Sequence, residues 1–304
     1  MNEGATKKLA RLSLLLPASK ILSAEILFLV AILVSTNHKG NTMKKLILAA
    51  AISATFAHSA FAQATAAPAS PHTFTANVSV VSDYRFRGIS QTFRLPAVQG
   101  GFDYSHSSGF YVGNWNSNVS GLQYQNGAGL EMDFYGGYKF EPVKDVGLDL
   151  GVYTYYYPGA KITGTTTKYD NAELYIGATY KWFSAKYSYG VTDFFGLNAN
   201  TAAAPLVPNG NSKGAGYLDL NVSYDIMEKT TLSAHVGRQT VPHYGALNYT
   251  DYKLGIARDF GWATLGLAVI GTNADKNLYQ VTDANGKNEK IGETTAVVSI
   301  SKTF

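Results

Sequence analysis

The sequence predicts an all-β protein, a transmembrane antiparallel up-and-down β-barrel of about twelve strands. In residues 73–88 (TFTANVSVVSDYRFRG), apolar and aromatic side chains hold the even positions and polar or charged side chains hold the odd ones. This period of two marks a β-strand that lies between two unlike environments. The pattern recurs to the last residue, and the connections between strands are alternately short and long. That combination is typical of barrels that cross the bacterial outer membrane.

The composition supports a β-rich chain. Among 304 residues there are 30 glycines, 21 tyrosines and no cysteine, and only 15% of the residues are charged. Aromatic and β-branched apolar residues favour strands, so the composition argues against a disordered chain and against an ordinary helical domain. Without cysteine, neither a disulfide framework nor a thiolate metal site can form.

The net charge does not indicate a nucleic-acid partner. The formal charge of +4 arises near the N-terminus, because residues 63–304 hold 18 Lys and Arg against 19 Asp and Glu. A basic patch of the kind that binds phosphate backbones is therefore not predicted.

The N-terminal region carries an export signal. Residues 43–62 (MKKLILAAAISATFAHSAFA) have a basic head, an apolar run and a terminal A-x-A pattern, which predicts a secretory signal peptide cleaved after Ala62. Residues 1–42 are expected to be an upstream misreading of the gene start or an extended leader, since their longest clean apolar run is too short to span a bilayer of about 30 Å. Residues 63–72 are predicted to be a linker, and residues 73–304 the barrel.

Alternation assigns one face of every strand to lipid. The first strand is predicted to run from Phe74 through Phe86 and to close the barrel against the last strand, residues 294–304. In the third strand, Tyr111 and Trp115 are assigned outward. Aromatic residues at both ends of the apolar faces predict two interfacial girdles. One girdle, at the long-loop end, includes Tyr84, Phe86, Tyr156, Tyr187 and Tyr189; the other, beside the short turns, includes Phe102, Tyr104, Tyr111, Tyr138, Phe140, Tyr180, Trp182, Tyr224, Trp262 and Phe304.

A soluble sandwich or lipocalin-like barrel would also alternate. Such a fold turns its apolar face inward and does not need aromatic residues at both strand ends on that face. The membrane barrel is therefore the favoured fold.

Several motifs resemble those of the TorF family of porin-type outer-membrane proteins from proteobacteria. They are SDYRFRGISQT (82–92), PAVQGGFDYSHSSGFYVGNW (96–115), LEMDFYGGYKF (130–140), YYYPGA (155–160), YDNAELYIGA (169–178), AHVG (234–237), TDYKLGI (250–256) and the terminal SKTF. The resemblance covers residues 74–304 and implies a porin of a Gram-negative outer membrane, without implying a particular solute. Outer-membrane proteins of this kind end in an aromatic residue that the barrel assembly machinery reads, which is Phe304 here.

The odd positions predict a polar lumen. Eight strands fill a barrel with side chains and sixteen leave a channel, so twelve predict a narrow pore. Across the strands, six cationic and ten acidic side chains are assigned inward, which predicts a slight cation preference. The candidate pore-lining residues are Asp83, Arg85, Arg87, Glu131, Asp133, Lys139, Asp149, Glu173, Lys181 and Lys186; Asp103, Asp219, Asp225, Asp251, Lys253 and Asp259 complete the charged set.

Arg85 and Arg87, two residues apart beside Asp83, are the most pointed feature. Their planar guanidinium groups can line a constriction and hold a carboxylate or phosphate on a passing solute. They can equally pair with lumen carboxylates such as Glu131, Asp133 or Glu173 and tie the wall together. The sequence leaves both interpretations open.

The sequence therefore predicts an exported outer-membrane porin, with both termini periplasmic, that passes small hydrophilic solutes or ions. The expected partners are outer-membrane lipid, the assembly machinery and those solutes; the oligomeric state is not predicted. No cofactor and no metal site are predicted. One alternative is a structural or adhesin barrel that acts through long loops such as 193–214 and 272–293. A lipid hydrolase is the third reading, but neither His235 nor the other histidines have a nucleophilic serine at a matching spacing.

Overall fold

The computed structural model describes residues 70–125 and 129–304, which contain sixteen β-strands. The predictions for residues 1–42, the signal peptide 43–62 and most of the linker lie outside the described residues. Twelve strands form the wall: β1 (His72–Val81), β4 (Ala97–His106), β5 (Phe110–Asn118), β6 (Leu130–Val143), β7 (Val146–Tyr156), β8 (Asn171–Tyr180), β9 (Phe183–Gly190), β10 (Gly216–Met227), β11 (Thr230–Thr240), β12 (Tyr249–Asp259), β13 (Thr264–Thr272) and β16 (Thr295–Thr303). Two short pairs lie in connections: β2 (Arg85–Phe86) with β3 (Ile89–Ser90), and β14 (Gln280–Thr282) with β15 (Asn288–Lys290).

The wall strands close into one antiparallel barrel. Each strand pairs with its neighbours along the chain, and β1 completes the circle by pairing with both β4 and β16. The predicted closure of the first strand against the last is thus confirmed, and the register places Asn77 opposite Thr303. The connections at one end are tight, for example 144–145 and 228–229, whereas those at the other end include 191–215 and 273–294. The predicted up-and-down antiparallel barrel of twelve strands is confirmed.

The outer face is an apolar belt. Most exposed side chains along the strands are large and apolar, including Val98 at 61%, Leu174 at 53% and Leu267 at 51% exposure. Such a surface is stable in hydrocarbon. Its side chains are apolar, and the closed sheet satisfies the backbone hydrogen bonds within the wall. Within residues 70–125 and 129–304, no helix has the length and apolar character needed to cross a membrane.

The first strand is shorter than predicted. It ends at Val81, and the alternation that continues through residues 82–86 belongs to a segment that leaves the wall. Ser82 still bonds the last strand, donating its backbone N–H to the Val298 oxygen at 2.9 Å. Residues 83–95 then turn inward. Tyr84 and Phe86 are therefore not girdle residues, because they pack inside the barrel.

The predicted facing of the third strand, β5, was wrong. Phe110 and Val112 are 63% and 55% exposed on its outer face, whereas Tyr111 and Trp115 point into the lumen and contact interior side chains. The large rings fill lumen space, and the outward Asn114 and Asn116 satisfy their amides by bonding each other and nearby strand carbonyls.

The C-terminal residue is tied into the wall by its backbone. Phe304 and Ala76 exchange backbone hydrogen bonds of 2.8 and 3.2 Å, while the Phe304 ring is 73% exposed. Its role in recognition by the assembly machinery stays a prediction.

The belt predicts the response to a charged substitution. Replacing Leu267, near the middle of β13, with Arg should destabilise the lipid-inserted barrel by about 2–4 kcal/mol, because a guanidinium there faces hydrocarbon. Ala284→Arg, in an exposed turn, is the control. Urea titration of the protein folded in lipid vesicles measures both variants, and equal stability for the two would contradict the assignment of this face to lipid.

Candidate functional site: the lumen around an inner hairpin

A two-stranded hairpin projects into the lumen from the end of β1. We call β2, β3 and the turn between them the inner hairpin; Arg85 pairs with Ser90 and Phe86 pairs with Ile89. Arg87 and Gly88 form its turn with φ of 48° and 79°. Two consecutive positive φ angles are the mark of a type I′ turn, which matches the twist of a tight hairpin.

Polar contacts hold the base of the inner hairpin together and against a neighbouring connection. The Asp83 carboxylate accepts hydrogen bonds from Arg85 Nε and Ser90 Oγ, each at 2.6 Å. Arg85 Nη1 donates to the backbone oxygens of Ile291 at 2.9 Å and Glu293 at 3.0 Å. Because both acceptors belong to the connection between β13 and β16, that loop clamps the hairpin from the side.

A second set of ion pairs joins the same loop to the segment after the hairpin. Arg94 lies 3.4 Å from Glu289 and 3.7 Å from Glu293. Lys276 Nζ donates to Glu293 at 2.9 Å, and this hydrogen bond lowers the pKa of the Glu293 carboxyl. These groups are partly or largely exposed, so each pair stabilises the clamp only weakly.

The tip of the inner hairpin reaches the far wall. Arg87 Nη2 donates to Glu173 on β8 at 2.6 Å, and Nη1 donates to Gln239 on β11 at 2.8 Å. Its guanidinium also lies 4.2 Å from the centre of the Tyr217 ring on β10. Strands β8, β10 and β11 lie on the opposite side of the closed strand order from β1. The hairpin therefore bridges the lumen.

Aromatic rings pack one side of the inner hairpin. Tyr84 meets Trp115 edge to face at 5.3 Å, and Phe86 meets Tyr155 in the same way at 5.3 Å. Phe195, from the connection between β9 and β10, lies 6.0 Å from Phe86. This buried cluster fills the lumen next to β5–β7, so the remaining space lies against the other wall.

Tyrosine hydroxyl groups bond most of the lumen carboxylates. Each of six acidic side chains accepts a hydrogen bond from a tyrosine on another strand or, for Glu131, from Tyr84 in the segment between β1 and β2. The pairs are Tyr84 with Glu131, Tyr111 with Asp149, Tyr135 with Asp103, Tyr153 with Asp133, Tyr155 with Glu173 and Tyr217 with Asp251, at 2.6–3.3 Å. These bonds fix the carboxylates in the wall.

A cavity of about 130 Å³ lies beside the inner hairpin, against β9–β13. Charged side chains line it, among them Arg85, Arg87, Lys186, His235 and Lys253. Small residues of β12 and β13 widen this side: Gly255 pairs with Ala268, and Ala257 pairs with Gly266.

His235 is held between two acids in the cavity wall. Its Nδ1 lies 2.9 Å from Asp219, and its Nε2 lies 2.7 Å from Asp251. Because both ring nitrogens face carboxylates, neither is placed to take a proton from a serine hydroxyl. His235 thus links β10 and β12 through its two carboxylate contacts, rather than activating a serine as in a hydrolase.

The structure brings together most of the sequence-predicted site residues. Asp83, Arg85, Arg87 and Lys186 line the cavity, and Glu131, Asp133, Asp149 and Glu173 lie in the tyrosine network described above. Lys139 faces inward, with Nζ 4.4 Å from the Tyr111 ring centre. Lys181 is a correction: it is exposed in the tight turn between β8 and β9, with φ of 53°, and does not line the lumen.

Arg87 follows the pairing interpretation, since it bonds Glu173, whereas Glu131 and Asp133 bond tyrosines instead. Sequence reasoning missed Gln239 as a partner of Arg87, and it missed the tyrosine network. Alternation along β7 puts Tyr153 and Tyr155 on the inner face, but spacing along the chain carries no signal for which side chains bond between strands.

Gly88 predicts a test of the hairpin geometry. A Cβ at Gly88 would lie 2.5 Å from Thr272 Cγ2 and 2.7 Å from Asp251 Cβ, at a φ of +79°. Gly88→Ala should therefore displace the inner hairpin. Gly286→Ala, with φ of +81° and nothing within 4 Å, imposes the same backbone strain of about 1–2 kcal/mol without the clash. Protease nicking of residues 83–95 should rise in the first variant only; equal protection in both would contradict this packing.

The fold and the lumen define a transmembrane β-barrel of the outer-membrane porin type. The chain belongs to the Gcw_chp family, described as a bacterial protein of unknown function, whose family model matches residues 65–304. No curated protein matches the sequence.

Solved porins share the architecture at low identity. The KdgM porin is 7% identical over 76% of this chain and 99% of its own, with a TM-score of 0.45. The NanC porin is 9% identical over 76% of this chain and 98% of its own, also with a TM-score of 0.45. A further porin is 17% identical over 68% of this chain and 62% of its own, with a TM-score of 0.37. At these values the likeness carries no argument about solutes.

Proposed function

We propose that this protein is a porin that forms a narrow passive channel for small hydrophilic solutes or ions in the bacterial outer membrane. The observation that carries the proposal is a closed barrel with an apolar exterior and a charged, tyrosine-lined interior. A polar lumen inside an apolar belt provides a path that a hydrophilic solute lacks in lipid. In this proposal the chain is exported by the Sec route and both termini are periplasmic.

The inner hairpin sets the width of the path. It bridges the lumen between β1 and the far wall, and its aromatic contacts occupy the side next to β5–β7. Solutes would therefore pass along β9–β13, where Gly255, Gly266 and Ala268 leave room and Lys186 and Lys253 supply charge. A constriction lined by fixed charges selects by size and by charge.

Solute uptake into liposomes tests this proposal. Refolded residues 63–304 should let small neutral sugars equilibrate faster than large ones, with a sharp size limit. Gly255→Leu, on the proposed path, should slow uptake, and Gly286→Leu, in an exposed turn, is the control. Uptake no faster than in protein-free liposomes, from barrels shown to be folded, would overturn the proposal.

A non-conducting structural or adhesin barrel is the second candidate. It is favoured by the filling of the loop end of the lumen, where the inner hairpin, Tyr124 and Tyr157 pack into one buried cluster. Under this alternative the connections 191–215 and 273–294 would hold an external partner. Loss of surface attachment on shortening either connection, together with no uptake by the intact chain, would support this candidate over the porin.

A further inference from the structure

Arg85 has a buried donor without an acceptor. Its Nε and Nη1 bond Asp83 and three backbone oxygens, but Nη2 makes no hydrogen bond to any described residue, and the side chain is 2% exposed. A buried donor that lacks a partner is costly, so such a group commonly marks a bound water, ion or ligand. Arg85 lines the cavity described above.

The other cavity groups favour an anion in that place. Three further cationic side chains line the same cavity, namely Arg87, Lys186 and Lys253. The cavity acids are also bonded: Asp83 accepts hydrogen bonds from Arg85 Nε and Ser90 and leaves Arg85 Nη2 unbonded, and Asp219 and Asp251 hold His235. The acidic excess that predicts cation preference for the whole lumen is located mainly in the tyrosine network, whose carboxylates other than Asp251 do not line this cavity.

We infer that the cavity is a binding site for a small organic or inorganic anion, a carboxylate or a phosphate, with Arg85 Nη2 as its directional donor. This inference deepens the proposed function because it names a class of solute. Binding of the anion does not depend on the porin function; only transport of the anion rests on it. The planar guanidinium donates in a fixed direction to one anion oxygen, while Lys186 and Lys253 add positive charge to the cavity lining. The volume of about 130 Å³ exceeds the roughly 15 Å³ that one water requires.

Thermal denaturation of the full barrel in a non-ionic detergent tests the site. Inorganic phosphate and acetate, titrated at constant ionic strength, should raise Tm in a saturable manner, whereas neutral acetamide should not. Arg85→Lys keeps the charge but removes the Nη2 donor, and Lys253→Gln removes a charge. Each should weaken the apparent anion affinity at least tenfold. Lys139→Gln, which removes a lumen charge beside Tyr111, should bind as the wild type does.

The outcomes separate the site from the porin. Saturable binding that both cavity variants weaken supports the site, whether or not the barrel conducts. Equal shifts for acetate and acetamide, no shift at all, or equal shifts in Lys139→Gln and Lys253→Gln would overturn it and leave the Arg85 donor to water. Should Arg85→Lys fail to fold, Lys253→Gln decides alone. Conductance without anion binding would leave the porin intact and remove only this site.

Discussion

A barrel without the inner hairpin should conduct roughly threefold more current than the intact protein, or more, because a twelve-stranded lumen freed of the hairpin is wider. The change replaces residues 83–95 with a short Gly-Ser turn. Val81 and Ala97 pair directly at the ends of β1 and β4, so a tight turn can join them without moving the wall. Single-channel recording measures the result.

The control for this deletion removes the largely exposed turn 163–166 in the connection between β7 and β8. That variant should conduct as the wild type does. Equal conductance in all three proteins would mean that the inner hairpin does not limit the path, whatever its position in the structure.

Breaking the Arg87–Glu173 pair should release the hairpin tip. The side chains of Arg87 and Glu173 are only 7% and 3% exposed, with 2.6 Å between their charged atoms. Removing one partner of such a pair leaves a buried charge without compensation, at a cost of about 3–5 kcal/mol. Arg87→Gln should therefore raise hydrogen exchange at the backbone amides of β2 and β3. Arg87→Gln with Glu173→Gln should restore part of the protection, because no lone buried charge remains.

Lys168→Gln is the matched control, since it removes an ion pair whose side chains are 59% and 34% exposed. An exposed pair contributes about 0–1 kcal/mol, so exchange should change little. Exchange rates in Arg87→Gln equal to those in Lys168→Gln would contradict the claim that the Arg87–Glu173 pair holds the hairpin tip at the far wall.

The barrel was predictable because its wall separates two very different environments, lipid on the outside and a polar lumen on the inside. Residues such as Leu218, Leu220 and Val222 face lipid at every second position of β10, and Asp219 and Asn221 alternate with them toward the lumen. A period of two over twelve segments leaves few other folds. The closure was also predictable, because with an even number of strands the first strand is antiparallel to the last and can pair with it.

The inner hairpin was not predictable from alternation alone. Ser82, Tyr84 and Phe86 stand at the even positions, which are mostly apolar in β1. The alternation continues past the end of β1 because a hairpin inside a lumen also has an aromatic side and a polar side. The one available signal was Gly88, since a glycine beside a tight reversal indicates a turn. A positive φ at Arg87 has no sequence signature, and its contacts with Glu173 and Gln239 join residues far apart in the chain.

The facing of β5 was predicted wrongly because tyrosine suits both lipid and lumen. Its ring satisfies a lipid interface and its hydroxyl satisfies a lumen carboxylate, so Tyr111 fits either face by composition. The hydrogen bond from Tyr111 to Asp149 decides the matter at 2.7 Å, and that contact depends on the register between strands. The same ambiguity hid the tyrosine network as a whole.

The central claim is that the polar lumen is a passage for ions and small solutes. Planar-bilayer recording of refolded residues 63–304, with folding verified before reconstitution, tests it most directly. The account predicts discrete steps of small conductance that increase when residues 83–95 are replaced. Folded barrels that insert and yet show no steps, with or without those residues, would contradict it.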